Sequence, residues 1–128
     1  MLIQDIKNLE YFRSADNCLL CELLHPEKIK GTLPEKLSMN YSIAHAIVLR
    51  GEKSLPHRLK ISSEVYYILS GSGKMHIGDE SESVCSGQAV YIPPGDIQYI
   101  ENTGDLDLVF LAIVSPEWSL KDEEVILD

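Results

Sequence analysis

An all-β sandwich or barrel is the fold class that this sequence predicts, and three observations support it. Seven of the eight glycines lie at or after Gly51, where they separate short segments of the chain. Those segments are rich in Val, Ile, Leu and Tyr, residues that favour β-strands. No long segment carries the i, i+3, i+4, i+7 apolar pattern of a core helix. Together these features predict many short antiparallel strands.

The apolar runs give the predicted strands in order. The first run covers 17–24, and a loop follows over 28–40, where charged residues, glycine and proline interrupt the apolar pattern. The remaining predicted strands are 41–50, 64–70, 74–77, 88–92, 97–102 and 106–114. Near the end of the chain, 119–126 predicts a short C-terminal helix, with Ser119 as its N-cap and Asp122 at the capping-box position.

The strand predicted at 106–114 is apolar on both of its faces. One face carries Leu108, Phe110 and Ala112, and the other carries Val109, Leu111 and Ile113. A strand at the surface of a lone sandwich is in contact with water on one side. Two apolar faces therefore predict that something covers the outer one. We hypothesise a homodimer, or a terminal segment folded over that face.

Composition limits the partners that this chain is expected to have. Its 128 residues fit one domain, so we predict a single domain over 1–128. The formal net charge of -9 argues against nucleic acid or an anionic membrane surface as a partner. The count of three cysteines and the absence of a signal-peptide pattern at the N-terminus predict reduced thiols and a cytoplasmic location.

Two stretches hold the side chains that predict a binding site, namely 55–71 and 87–102. In the first, the turn-forming segment between His57 and Glu64 would place these residues on neighbouring antiparallel strands, where their side chains converge. In the second, Gln98 follows directly after a proline-rich turn. Imidazole and carboxylate groups are common ligands of divalent metals. A surface histidine and a strand-capping glutamate are the alternative interpretation of the first stretch.

Both stretches resemble the paired motifs of the cupin family. The first family motif is G-x5-H-x-H-x3-4-E-x6-G, and the residues in register with it are Gly51, His57, Glu64 and Gly71. The second is G-x5-P-x-G-x2-H-x3-N, and the residues in register with it are Gly87, Pro93, Gly95 and Asn102. The resemblance implies a jelly-roll barrel of the small single-domain type, similar to mannose-6-phosphate isomerase-like cupins. The motifs would span 51–102, with an N-terminal strand and loop in 1–40 and a tail at 115–128.

The resemblance also implies a divalent metal, one of Mn, Fe, Zn or Ni, in the barrel. The sequence departs from the family pattern at two ligand positions, where Leu59 and Gln98 replace histidines. The implied metal ligands are therefore His57, Glu64 and Gln98. This oxygen-rich set favours Mn, Fe(II) or Mg over a tight zinc site. A pocket that has lost its metal and binds an organic ligand by hydrogen bonds is the alternative.

Other polar residues are candidates for contacts with a ligand or for proton transfer. Tyr66 shares the strand face of Glu64, so these two are the predicted catalytic residues. Gln98, His76 and Tyr91 are the predicted ligand-binding residues. His76 alternates with apolar neighbours, so it enters the pocket only if those neighbours face away from the core.

Three functions follow from the family resemblance and these residues. The first is a metal-assisted enzyme that acts on a small sugar-like or carbonyl compound, either an isomerase or a metal-dependent dioxygenase. The second is a metal-free cupin that binds a small molecule without catalysis. The third is a scaffold whose barrel presents a dimer surface.

Overall fold

Two antiparallel β-sheets face each other in the computed structural model, which describes residues 1–28 and 37–127. Most of the loop predicted for 28–40 lies outside the described residues. A short 3-10 helix at Ile6–Asn8 precedes the strands. The strands are β1 (Phe12–Arg13), β2 (Leu19–Leu24), β3 (Ser42–Val48), β4 (His57–Leu59), β5 (Ser63–Ser70), β6 (Ser72–Ile77), β7 (Glu80–Cys85), β8 (Ala89–Ile92), β9 (Gln98–Asn102), β10 (Leu108–Ser115) and β11 (Glu123–Val125).

Strand order places distant parts of the chain side by side. One sheet has six strands in the order β1-β2-β3-β10-β5-β8, and the other has five in the order β11-β4-β9-β6-β7. Consecutive strands β4 and β5 lie in different sheets. This arrangement confirms the predicted all-β jelly-roll barrel. No helix in the described part of the chain is long and apolar enough to cross a membrane.

The core lies between the two sheets and follows the two-residue period of the strands. On β3, β9 and β10 the buried side chains alternate with partly exposed ones. The rings of Tyr66 and Phe110 lie with their centroids 4.3 Å apart at the centre of this core. Ile68, Ile100 and Leu108 are fully buried around them. Burial of these large apolar side chains is the main source of stability for the barrel.

The turn between β5 and β6 requires a glycine. Gly71 has a φ of +87°, which L side chains rarely adopt. A Cβ atom at this position would lie 2.5 Å from the backbone carbonyl oxygen of Asp107. The glycine therefore lets the chain pass from β5 into the opposite sheet as β6, while the loop before β10 packs closely against this turn.

The C-terminal helix predicted for 119–126 is wrong. The chain makes one turn, in which the Asp122 N–H donates to the Ser119 carbonyl at 3.2 Å, and then extends as β11 beside β4. The Asp122 carboxylate is buried and accepts hydrogen bonds from the backbone N–H groups of Ile61 at 2.7 Å and Ser62 at 3.1 Å. Pairing with β4 and these long-range hydrogen bonds outweigh the local capping signal.

The outer face of the six-stranded sheet is apolar, as the sequence of β10 predicts. Val109, Leu111 and Ile113 are only partly buried there. The N-terminal segment reaches this face, because the Tyr11 hydroxyl forms a 2.7 Å hydrogen bond with Nδ1 of His45, which lies opposite Leu111 in the register. A terminal segment thus covers part of the outer face.

Candidate metal and ligand site

A cavity of about 210 Å³ lies between the two sheets and opens toward the N-terminal strands. We call it the barrel cavity. Its polar lining comes from both sheets and from the β1–β2 loop, and includes Asp16, His57, Glu64, Tyr66 and Glu123. Residues far apart in the sequence therefore share one hollow space, and three of them were predicted as site residues.

Asp16, His57 and Glu123 form a group that can hold a metal ion. Each offers one ligand atom, and these three atoms all lie within 4.8 Å of one another. His57 begins β4 and Glu123 begins β11, which pair with each other in one sheet. The sequence prediction missed Asp16 and Glu123, since the first lies in a loop and the second was assigned to a helix.

The loop that carries Asp16 is fixed by several hydrogen bonds. The Ser14 hydroxyl donates to the Asp16 carboxylate, and the Ser14 N–H donates to the Cys18 carbonyl at 2.8 Å. Asn17 adopts a φ of 69°, a left-handed conformation that asparagine tolerates better than most residues. The Leu55 N–H donates to the Asp16 carbonyl at 2.7 Å, which ties the loop to the segment before His57.

The hydrogen bonding of His57 indicates that its second nitrogen faces a cation or a proton. Its Nδ1 lies 2.7 Å from the Leu55 carbonyl oxygen, so Nδ1 carries a hydrogen and donates. Its Nε2 lies 3.4 Å from Oδ2 of Asp16. If Nε2 is unprotonated, two acceptor atoms face each other across this gap. A bound cation or a second proton on the ring removes that conflict, so this donor set fits a metal.

Glu64 faces the group from the opposite sheet. Its Oε1 accepts a hydrogen bond of 2.9 Å from Nε2 of the fully buried Gln98. Burial raises the pKa of Glu64 to about 7, while the Gln98 hydrogen bond and His57 lower it and Asp16 and Glu123 raise it further. A carboxyl group with this pKa exchanges protons readily near neutral pH.

The other ionisable groups of the barrel cavity make it acidic. Burial, followed by the charge of Asp16, raises the pKa of Glu123, which His57 and the Trp118 indole lower in part. Burial also raises the pKa values of Tyr66 and Cys18 well above their ordinary values, so both remain neutral. The carboxylates therefore dominate the electrostatics of the cavity.

The placement of His57, Glu64 and Gln98 differs in part from the prediction. His57 and Glu64 face each other from opposite sheets instead of sitting on neighbouring strands, because β4 and β5 belong to different sheets. Gln98 lies opposite His57 in the register and presents its amide nitrogen to Glu64. Gln98 therefore offers a hydrogen-bond donor to Glu64, whereas the prediction had assigned it a metal-ligating oxygen.

Two predicted ligand-binding residues, His76 and Tyr91, lie outside the barrel cavity, which corrects their predicted placement. His76 stacks on Tyr99 with ring centroids 4.1 Å apart, and its Nε2 is 3.3 Å from Oε1 of Glu101. It faces outward because its neighbour Met75 faces the core. Tyr91 lies opposite Val65 in the register and is 61% exposed, because Ile92 takes the inward position.

Comparisons with known proteins agree with this architecture. A family profile described as a cupin domain matches residues 44–114. An uncharacterized protein of Methanocaldococcus jannaschii is 36% identical over 98% of this chain and 99% of its own length. This match extends over β1, β11 and the three residues of the metal-binding group.

Solved structures with low sequence identity share the fold. The predicted oxalate decarboxylase of Thermotoga maritima superposes with a TM-score of 0.75 at 23% identity, covering 91% of this chain and 99% of that one. The nucleoside dehydratase Pac13, from Streptomyces, superposes with a TM-score of 0.72 at 17% identity, covering 98% of this chain and 91% of that one. These two proteins have different names but share one fold.

Proposed function

The chain belongs to the cupin domain family, and from this premise we propose that its barrel binds a divalent cation together with a small carbonyl or hydroxyl compound. The observation that carries the proposal is the convergence of Asp16, His57 and Glu123 on one point of the barrel cavity. Two carboxylates and one imidazole suit Mn²⁺ or Fe²⁺, and Zn²⁺ and Ni²⁺ are the alternatives.

Glu64 is the proposed proton-transfer group. When bound by Asp16, His57 and Glu123, the cation would polarise a carbonyl or hydroxyl oxygen of the ligand. Glu64 as a carboxylate would take a proton from a hydroxyl-bearing carbon next to a carbonyl group and return it to the carbonyl carbon, while the hydroxyl proton passes to the carbonyl oxygen. This proton shift consumes no co-reactant and amounts to an isomerisation. Gln98 would hold Glu64 in position through its hydrogen bond, and Tyr66 would remain a neutral hydrogen-bond donor.

Binding of Mn²⁺ to the protein after EDTA treatment tests the proposal. We expect calorimetry to show one ion per chain and the melting temperature to rise with the Mn²⁺ concentration. Asp16→Asn and Glu123→Gln should each weaken binding by roughly tenfold or more, because each removes a charged ligand. Glu124→Gln is the matched control, since Glu124 is the next residue on β11 but pairs with Arg58 at 2.9 Å. A wild-type protein that binds no divalent cation would refute the proposed function.

A homodimer through the six-stranded sheet is also proposed. Its outer face carries Tyr67, Leu69 and Tyr91, which are 41%, 39% and 61% exposed. These side chains continue the apolar surface of β10, which the N-terminal segment covers only in part. A contiguous apolar patch of this kind is typical of an interface between proteins.

Light scattering at micromolar concentration tests the dimer. We expect a mass of about twice 14.4 kDa for the wild-type chain. Tyr91→Glu should shift the equilibrium toward the monomer by roughly tenfold or more, because it places a charge in the apolar interface. Ser83→Glu is the control, since Ser83 is exposed on the five-stranded sheet and the added charge is the same. A monomeric wild-type chain contradicts this prediction.

A cytoplasmic location is proposed on the basis of the cysteines. Cys18, Cys21 and Cys85 are all free thiols, and Cys85 is exposed. Free thiols persist in a reducing compartment.

A further inference from the structure

The wall of the barrel cavity that belongs to the six-stranded sheet carries a patch of small apolar side chains. Ala44 and Ala46 on β3 and Ala112 on β10 all line the cavity. They form one patch, because Ala112 lies opposite Ala44 in the register and Phe110 lies opposite Ala46. Leucine or isoleucine at these positions would extend into the space that the alanines leave open.

The cavity therefore combines a polar group with an apolar patch. Asp16, His57 and Glu123 meet at one point of it, and Leu20 and Phe110 continue the alanine patch. Polar side chains of the same sheet border the patch, since Glu22 lies opposite Ala44 in the register and Tyr66 lies opposite Ala112. A hydroxyl group placed directly against the alanines would lose its hydrogen bonds to water.

The cations that line the cavity are already engaged. Among the described lining residues these are Arg13 and Lys28. Arg13 pairs with Glu52 at 2.9 Å, and Nζ of Lys28 lies 4.0 Å from the centroid of the Trp118 ring. The carboxylate of Glu22 also lines the cavity, and its Oε2 is buried without a hydrogen-bond partner among the described residues. Carboxylates therefore outnumber cationic side chains in this space before a divalent cation binds.

On these grounds we infer that the ligand of this cupin carries an apolar group about the size of a six-membered ring, which packs on the alanine patch, and an oxygen-bearing end. The inference rests on the proposed function, because the oxygen-bearing end faces the cation-binding group. The cavity volume of about 210 Å³ supports the size, since an apolar cavity of about 150 Å³ accommodates benzene.

Two hydroxamates test the inference, because they share one metal-binding head and differ in the body. Benzohydroxamate carries a phenyl ring and acetohydroxamate carries a methyl group. We expect calorimetry on the Mn²⁺-loaded protein to show benzohydroxamate binding at least roughly tenfold more tightly, since its ring removes more apolar surface from water. Equal affinities of the two hydroxamates would overturn the inference.

Variants of the alanine patch test whether this part of the cavity wall causes the difference in affinity between the two hydroxamates. Ala46→Leu should reduce the affinity ratio of the two hydroxamates to nearly one, while Mn²⁺ still binds with one ion per chain. Ala89→Leu is the control, because Ala89 is exposed on β8. If Ala46→Leu does not fold, Ala44→Val makes the same test with a smaller change in volume. If the wild-type chain does not bind Mn²⁺, the proposed function is refuted. If it binds Mn²⁺ but has equal affinity for the two hydroxamates, only the inference about the ligand is refuted.

Discussion

Replacing His57 by alanine is expected to weaken Mn²⁺ binding by roughly 100-fold or more. His57 supplies the only nitrogen in the group with Asp16 and Glu123, and the Leu55 carbonyl already fixes the orientation of its ring. Its removal leaves two carboxylates that repel each other and that can attract a cation but not enclose it. Calorimetric titration of the EDTA-treated variant with Mn²⁺ measures the loss, and the shift in melting temperature on adding Mn²⁺ should disappear with it.

His76→Ala is the matched control for this experiment. His76 is also a strand histidine beside a carboxylate, but it stacks on Tyr99 on the outer face of the five-stranded sheet. We expect the Mn²⁺ affinity of this variant to stay within about twofold of the wild type, since a group this far from the site contributes little. An unchanged affinity in His57→Ala, or equal losses in both variants, would show that the cation binds elsewhere.

The sequence was sufficient to predict an all-β barrel and which side chains share one face of each long strand, because long strands repeat their pattern. On β5 the two-residue period places Glu64, Tyr66 and Ile68 on one side, and all three are buried as expected. On β9 the same period correctly groups Gln98, Ile100 and Asn102. The outward positions of His76 and Tyr91 could not be chosen in advance, because a strand pattern gives two faces without saying which one meets the cavity.

The two carboxylates of the metal-binding group escaped prediction for a different reason. Asp16 lies in a loop between a strand of two residues and one of six, and Glu123 lies in a strand of three residues. Segments this short show no measurable period. Their positions depend on pairing with β4 and on hydrogen bonds to residues far along the chain, which a local pattern does not encode. The capping pattern at 119–126 favoured a helix instead of a strand.

Glu64→Gln is expected to make the protein more stable at about pH 8 and to leave its stability nearly unchanged at about pH 4. Burial raises the pKa of Glu64 from 4.5 to about 7 in the folded protein. Between these values the folded state holds a proton that the unfolded state releases, so the stability of the wild type falls as the pH rises. The difference amounts to about 3 kcal/mol above pH 7. Glutamine does not titrate and still accepts the hydrogen bond from Gln98.

Urea denaturation of both proteins in EDTA, across this pH range, measures the effect. The difference in free energy of unfolding between variant and wild type should grow from near zero to about 3 kcal/mol, with its midpoint between the unfolded and folded pKa values. Glu80→Gln is the control, because Glu80 is exposed on β7, and its difference should stay within about 0.5 kcal/mol at every pH. A constant difference for Glu64→Gln would mean that Glu64 ionises normally in the folded barrel, and it would remove Glu64 as the proton-transfer group at neutral pH.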